Sequence, residues 1–460
     1  APAAEAGAWP ADADEVVRGA LAEVGAFLSP REDGGASLSI EAAVAQALAE
    51  NGQALAARAE VDAQAAQTGQ ANAARLPQLT AQSAYTYIDG LPVELYEGNA
   101  LTFLAGADVE AERGQLTNTI TLEQVLYAGG RIAAAVRASE YLAQAQRWRR
   151  EVTLDELEFQ TKQAYYDLLL AEALVEVAAD RVEVVTRQLR DARNMFEAGM
   201  TSRLELLRAE TELGQRRADA ESARTGVTLA RLNLARLLAA PQNAEITVRG
   251  GGLRWAPPQA TLEQLVVRAA ARRPELRALD NGLAAARQQI RAARGGYKPN
   301  AAASLSYTDI EGGTSILPEG WQVGVGVEWE LYTGGRRKHE VMQAEAEAQR
   351  IAHERDSVAD LVELDVRRAH AQLGDALARI RAEQGTVGVA QEALRLAQLR
   401  FVEGAGTQTD TLNAEVALAA AKTNLLRALR DFAVASASLE KALSVSWAPR
   451  DMPEDPPAAA

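Results

Sequence analysis

The sequence predicts a mainly α-helical protein with a β-barrel part, built from two copies of one unit that runs helix, β-hairpin, long helix, helix. Three observations carry this reading. With a constant offset of 205, Leu126–Leu238 lies over Leu331–Leu443 without a gap. Two proline-free tracts, from Pro92 to Pro241 and from Pro318 to Pro449, leave room for long helices. Finally, in WQVGVGVEWELYTGGR (321–336), Trp321, Val323, Val325, Val327, Trp329 and Leu331 take every odd position up to Leu331, and polar or glycine residues take the even ones. That two-residue period is a strand with one wholly apolar face.

The elements follow in order. Residues 1–37 form an N-terminal extension, a tether with a short helix around Glu15–Leu28. The first repeat, 38–240, opens with a helix over 38–75 and continues as a hairpin over 78–126, whose strands are LPQLTAQSAYTYIDG and QLTNTITLEQVLY. Helices over 131–198 and 203–238 complete it, joined by the turn FEAGMTSRLELL. A linker over 241–260 can add a small strand in AEITVRGGGLRWAPP. The second repeat, 261–446, has helices over 261–296, 336–403 and 408–445 and a hairpin over 300–331; its turn is FVEGAGTQTDTL. Upstream of the long helices an offset of 222 sets Glu41 on Glu263, Pro77 on Pro299 and Tyr85 on Tyr307. The Pro-rich tail, 447–460, reads as disordered.

Apolar and small residues alternate spacings of three and four from Leu154 to Phe196, and again from Ala359 to Phe401 with one interruption at Glu383. Such a run packs against a neighbouring helix along a coiled-coil seam. Each long helix is about 100 Å at 1.5 Å per residue, and the two shorter helices of a unit, end to end, come to a similar length.

The chain has 460 residues, no cysteine and a net charge of −15. Its acidity argues against a nucleic-acid surface, which needs a basic footprint. Without cysteine, disulfides, thiolate metal sites, thiol catalysis and a lipid anchor on Cys are not expected. No run of 18 apolar residues suggests a membrane-spanning helix. The opening APAAEAGAWPADADEVV lacks a basic and then an apolar region, so a signal peptide is expected to have been removed already. Gly129-Gly130-Arg131 and Gly334-Gly335-Arg336 lack the Lys-Ser/Thr ending of a phosphate loop and read as strand-to-helix bends. His339, His353 and His370 are too scattered for a metal site, and RWRR at 147–150 reads as a solvated face. No nucleophile, base and oxyanion arrangement is present, so neither an enzyme nor a cofactor is expected.

A membrane role therefore rests on the strands. An apolar face with Trp at its margins suits a barrel wall, and eleven tilted residues are enough to cross a bilayer. Leu116, Ile120, Leu122 and Leu126 are expected on the same face as the odd-numbered stripe, with Gly324 and Gly326 turned to the lumen. Four strands cannot close alone, so several copies must share one barrel. The competing reading is a half-buried sheet packed on helices in a periplasmic coiled-coil scaffold or adaptor.

The duplicated plan, the LYxGGR junctions and the FxxG turns resemble the outer-membrane efflux protein family of TolC-like channels, over about residues 38–446. The resemblance implies a homotrimer with a shared twelve-stranded transmembrane barrel in the outer-membrane lipid of a Gram-negative bacterium and an α-helical barrel in the periplasm. It further implies an exit duct that passively conducts drugs and other small molecules, served by a periplasmic adaptor (membrane fusion) protein and an inner-membrane pump of RND or ABC type. A type I protein-secretion component of the same fold is the alternative. The residues matching the family's adaptor-contact turns are Gly199, Met200 and Thr201, and Gly404, Ala405 and Gly406. Glu205 and Asp410 match positions that constrict the entrance, and Arg203 is a candidate partner for a latch. The same two acids also follow Ser202 and Thr407 at the spacing of a capping box, and that reading is favoured.

Overall fold

The computed structural model describes residues 10, 12–24, 38–87, 114–248, 260–312, 319–403 and 405–445. In chain order these form α1 (Ala13–Glu23), α2 (Ile40–Glu50), α3 (Gly52–Ala73), β1 (Gln78–Tyr87), β2 (Gly114–Ala128), α4 (Arg131–Glu197) and α5 (Arg203–Leu237). The second half follows as α6 (Leu262–Arg272), α7 (Pro274–Gly295), β3 (Asn300–Glu311), β4 (Gly320–Glu328), α8 (Arg336–Val402) and α9 (Gln408–Ala442). Helices α4 and α8 have 67 residues each, and α5 and α9 have 35 each, so the repeat offset seen in sequence is kept in three dimensions. At 1.5 Å per residue each of the longer pair spans about 100 Å.

The leading helix of each repeat differs from expectation. The helix expected over 38–75 is broken at Asn51, and that expected over 261–296 is broken at Arg273, the position that the 222 offset makes equivalent. Pro274 excludes Arg273 from helical geometry, and the Asn51 side chain accepts a hydrogen bond from the Gln53 N–H at 2.8 Å. Both broken positions are buried and turned to one task. Asn51 Nδ2 donates to the Leu237 carbonyl at 2.8 Å, and Arg273 Nη1 donates to the Lys441 carbonyl at 3.1 Å. Those carbonyls belong to the last turns of α5 and α9, where no helical partner exists for them.

Two compact units emerge. One comprises residues 1–60, 147–278 and 355–460, and the other comprises 61–146 and 279–354. The first unit holds two hydrophobic cores. In one, Leu157, Tyr165, Leu168, Leu234 and Leu237 pack with Ile40, Ala43 and Ala47 of α2. In the other, Leu373, Ile380, Leu425 and Phe432 pack with Ala13, Val17, Ala20 and Val24. The N-terminal helix is therefore no part of a loose tether: α1 lies on α8 and α9, with Asp12 ion-paired to Arg381. The small strand expected in the linker is reduced to a single parallel bridge, Leu38 with Val248; the rest of that stretch, 249–259, lies outside the described residues, as does the tail.

A charged cluster ties the two repeats together in this unit. The Lys162 side chain is 2% exposed, and its ammonium lies 2.8 Å from Glu158 and 2.7 Å from Glu440. An ammonium so far from water persists only when fully paired. Lys162→Met would leave two carboxylates facing a thioether. We predict a loss of about 3 kcal/mol in stability, read as an earlier loss of helical circular dichroism in denaturant, with Lys162→Arg retaining part of it.

The second unit contains one antiparallel sheet in the order β1-β2-β3-β4. Leu79, Leu122, Leu305 and Val323 share one row across it, and Ala81, Ile120, Tyr307 and Trp321 share another. Threonine, serine, glutamine and glycine fill the opposite face, as in the row Thr80, Thr121, Ser306, Gln322. The register slips between Val125 and Tyr127. This corrects the expected place of Leu126: it is the bulged residue, and Tyr127 takes the position opposite Ala301 on the apolar face. A bulge inserts one unpaired residue and inverts the alternation beyond it.

Candidate functional site

Two features of the chain can do more than hold the fold: the apolar face of the sheet, and the turns that join the long helices to the returning ones.

On the sheet, Val323, Val325 and Val327 are 81, 69 and 70% exposed, and Trp321 and Trp329 are 71 and 57% exposed. Ile120 and Leu122 on β2 are also exposed, and Leu116 is half-buried. Among the described residues no helix covers the stripe, unlike the sheet packed against helices that a soluble scaffold requires. Tyr307 packs at a tilt against Trp321, with 5.1 Å between ring centroids, and the Trp329 indole donates to the Tyr297 carbonyl at 3.1 Å. The eight steps from Trp321 to Trp329 span about 26 Å along the strand, and these two tryptophans mark the margins of the apolar band. Both junctions from strand to helix use the same backbone device: Gly129 and Gly130 have φ of 64° and 85°, and Gly334 and Gly335 have 61° and 88°. Side chains disfavour that left-handed region, and a Cβ on Gly129 would lie 2.3 Å from the Gly295 carbonyl oxygen.

The two helical turns reach the same end by different means. In the first, Gly199 takes φ 70° and the Met200 N–H donates to the Met195 carbonyl at 2.8 Å, a glycine stop for α4. Ser202 then caps α5 by accepting from the Glu205 N–H, but the Glu205 carboxylate turns to Arg208 at 2.8 Å. Thr201 is half-buried, and Met200 is exposed. In the second turn the N–H groups of Ala405 and Gly406 both donate to the Arg400 carbonyl, at 2.8 and 2.9 Å. A complete capping box follows: the Asp410 N–H donates to Thr407 Oγ1 at 3.2 Å, and the Thr407 N–H donates to Asp410 Oδ2 at 3.0 Å. Gly404 lies outside the described residues. Glu205, Asp410 and Arg203 are all exposed, and Arg203 makes no ion pair among the described residues.

Sequence reasoning missed a groove of about 640 Å³ lined by α4, α5, α8 and α9, with Val185, Gln188, Met195, Phe401, Thr411 and Glu415 among its walls. Gln188 donates to Glu415 at 2.6 Å, and burial pushes the Glu415 carboxyl up. The repeat carried a signal for this. Glu210, the equivalent of Glu415, faces Arg193 at 3.5 Å inside its own helix pair. In the second repeat the arginine is replaced by Gln398, so Glu415 is released to a partner from the other repeat. Among the described residues no group of His, Cys, Asp and Glu could hold a metal ion, and no helix is long and apolar enough to cross a membrane.

Paired long helices in a duplicated chain, carrying a small sheet with one exposed apolar face, define a helical channel protein with a membrane-seeking sheet. Comparison with known proteins makes this specific. The outer membrane efflux protein family model matches residues 43–240 and 265–445, and the chain belongs to that family. It is 27% identical over 324 residues to the outer membrane efflux protein BepC of Brucella suis, covering 70% of each chain. It is 26% identical over 332 residues to the alkaline protease secretion protein AprF of Pseudomonas aeruginosa, covering 70% of this chain and 68% of that one. Its fold matches the crystal structure of the Campylobacter jejuni CmeC outer membrane channel with a TM-score of 0.75 at 15% identity, over 88% of this chain and 85% of the other. The protein is an outer-membrane exit duct of efflux or secretion systems, extending into the periplasm, and it is not an enzyme.

The Thr407 hydroxyl and amide hold the Asp410 carboxyl below its ordinary range. The sign follows: the bonds to the carboxylate are present above the ordinary carboxylate pKa of about 4 and are lost as pH falls through the lowered value. Thr407→Ala should speed amide exchange in the first turn of α9 by about fivefold, and the wild type should show the same loosening only in strong acid.

Proposed function

We propose that three copies of the chain close a twelve-stranded barrel in the outer membrane, and that α4, α5, α8 and α9 of each copy wall a periplasmic tunnel. The observation that carries this is the sheet itself. β1 and β4 are its edges, each pairing with one neighbour only, and its apolar face is open. Unpaired N–H and C=O groups in hydrocarbon cost several kcal/mol each, so such a sheet is tolerated there only when β1 of one copy meets β4 of the next. Trp321, Val323, Val325, Val327, Trp329, Leu116, Ile120 and Leu122 then face lipid, and the row of Gly324 and Gly326 faces the lumen.

At the turns, Glu205 and Asp410 of three copies form carboxylate rings that favour cations at the entrance, while the same side chains cap or brace their helices. Gly199, Met200 and Thr201, with Gly404, Ala405 and Gly406, form the contact for a periplasmic adaptor, whose helices the neighbouring groove can receive. The inner-membrane pump, of RND or ABC type, selects the substrate and supplies the energy. Small-molecule efflux is the main reading. Protein secretion on the same fold is the second, favoured by the likeness to AprF, an alkaline protease secretion protein.

The chain has no cysteine, which makes crosslinking clean. Single cysteines placed in β1 and β4 should join copies into a covalent ladder ending at three, and negative-stain images in detergent should show three-fold particles. A monomer with neither result overturns the shared barrel. In planar bilayers, Glu205→Gln with Asp410→Asn should reduce the preference for cations without loss of insertion, whereas Val325→Glu should impair insertion.

A further inference from the structure

The second unit concentrates positive charge where its strands meet their helices. Segments 71–77, 127–137, 291–299 and 331–339 contain nine Lys or Arg and no Asp or Glu, in a chain of net charge −15. The fold brings all four to one end of the sheet. Ala128 at the close of β2 pairs with Asn300 at the start of β3, and Asn300 pairs with Glu328 at the close of β4. Gln124 near the end of β2 donates to the Arg75 carbonyl at 3.0 Å, and Arg131 donates to Asn300 at 2.7 Å.

Three nearby acids are already occupied. Glu330, Glu340 and Glu345 take Arg336, Arg337 and Arg294. Glu123 and Glu328 lie on the sheet face opposite the valines. Arg75, Arg131, Arg137, Arg291, Lys298 and Lys338 remain exposed and make no ion pair among the described residues. The helix dipole accounts for the cations at the C-terminal ends of α3 and α7, but not for those at the starts of α4 and α8. α2, α5, α6 and α9 each carry an acid in the first turn, as the helix dipole favours, but α4 and α8, which begin in this collar, carry none and open on arginine. An exposed aromatic layer accompanies the charge: Tyr127, Tyr297, Trp329 and Tyr332.

We propose that this collar binds the headgroups of anionic phospholipids in the leaflet facing the periplasm. The inference rests on the outer-membrane reading above and adds its lipid partner. Aromatic rings that continue an apolar face belong at headgroup depth, and arginine and lysine stems lie along that layer with their charges at the phosphates. Of the carboxylates at this end, Glu330, Glu340 and Glu345 are ion-paired and Glu123 and Glu328 lie on the opposite sheet face, so a headgroup of net negative charge, such as phosphatidylglycerol, is favoured over one that carries an amine.

The test places the full-length protein in vesicles of phosphatidylethanolamine and phosphatidylglycerol at three to one, with brominated chains on one lipid or the other. Quenching of Trp329 is read as the difference between wild type and Trp329→Phe. Brominated phosphatidylglycerol should quench well beyond its mole fraction, with about fivefold weaker association for each charge removed. Arg75→Gln, Lys298→Gln and Lys338→Gln together should restore quenching to the mole fraction, and Arg395→Gln, far along α8, should change nothing. Lys338→Gln alone, or added salt, should lower the enrichment in the wild-type fold by degrees. Quenching that follows mole fraction in inserted wild type, or enrichment that survives the triple change, overturns the proposal. So does displacement of brominated phosphatidylglycerol by lipid A, which would assign the collar to a different lipid, or dissociation of the oligomer by the triple change without enrichment in wild type, which would assign it to contacts between copies. Failure to float with vesicles of either composition would instead remove the membrane reading beneath it.

Discussion

A backbone amide in hydrocarbon must have a partner inside the protein, because the lipid offers none. That constraint governs this chain more than any single contact. Four strands satisfy their inner rows and leave those of β1 and β4 open, while Val323, Val325 and Val327 have no cover. On the proposed reading, neighbouring copies close these edges. Burying a valine side chain is worth roughly 1.5 kcal/mol or more, so the stripe is a strong drive toward lipid once the edges are closed by neighbours.

Duplication explains the economy of the rest. The same bend of two left-handed glycines turns strand into helix in both repeats, and the same side-chain position, Asn51 or Arg273, breaks the leading helix to close the end of a returning one. The repeats diverge where they have separate tasks. Asp410 completes a capping box with Thr407, whereas Glu205 braces Arg208. Glu210 stays with Arg193, whereas Glu415 crosses to Gln188. α1 packs on α9 and pairs Asp12 with Arg381 of α8, both in the second repeat.

Much of the fold was legible before any coordinates. The two long helices, their returning partners and the four strands follow from proline placement, heptad spacing and alternation, which are local properties. The capping role of Thr407 and Asp410 was legible for the same reason, since residues three apart on a helix start must meet. The break at Asn51 was not, because its local bond from the Gln53 N–H is joined there by one to the distant Leu237 carbonyl, which no local pattern shows. Nor was the bulge at Leu126, which depends on the register with β3 and which moves Tyr127 to the lipid-seeking side. The helix α1 was expected in place but not in role: its alanine and valine face is too small to announce a docking site.

By itself, then, the sequence determined the repeated order of elements and the apolar face of the hairpins, since both are written in periodicity and spacing along the chain. Tertiary structure alone decided which buried polar groups meet, as Lys162 meets Glu158 and Glu440. It also decided where the groove between the helix pairs opens and how four junctions scattered over the chain converge into one basic collar. Those outcomes depend on pairings between residues far apart in sequence, and no local pattern encodes which partner a side chain will find.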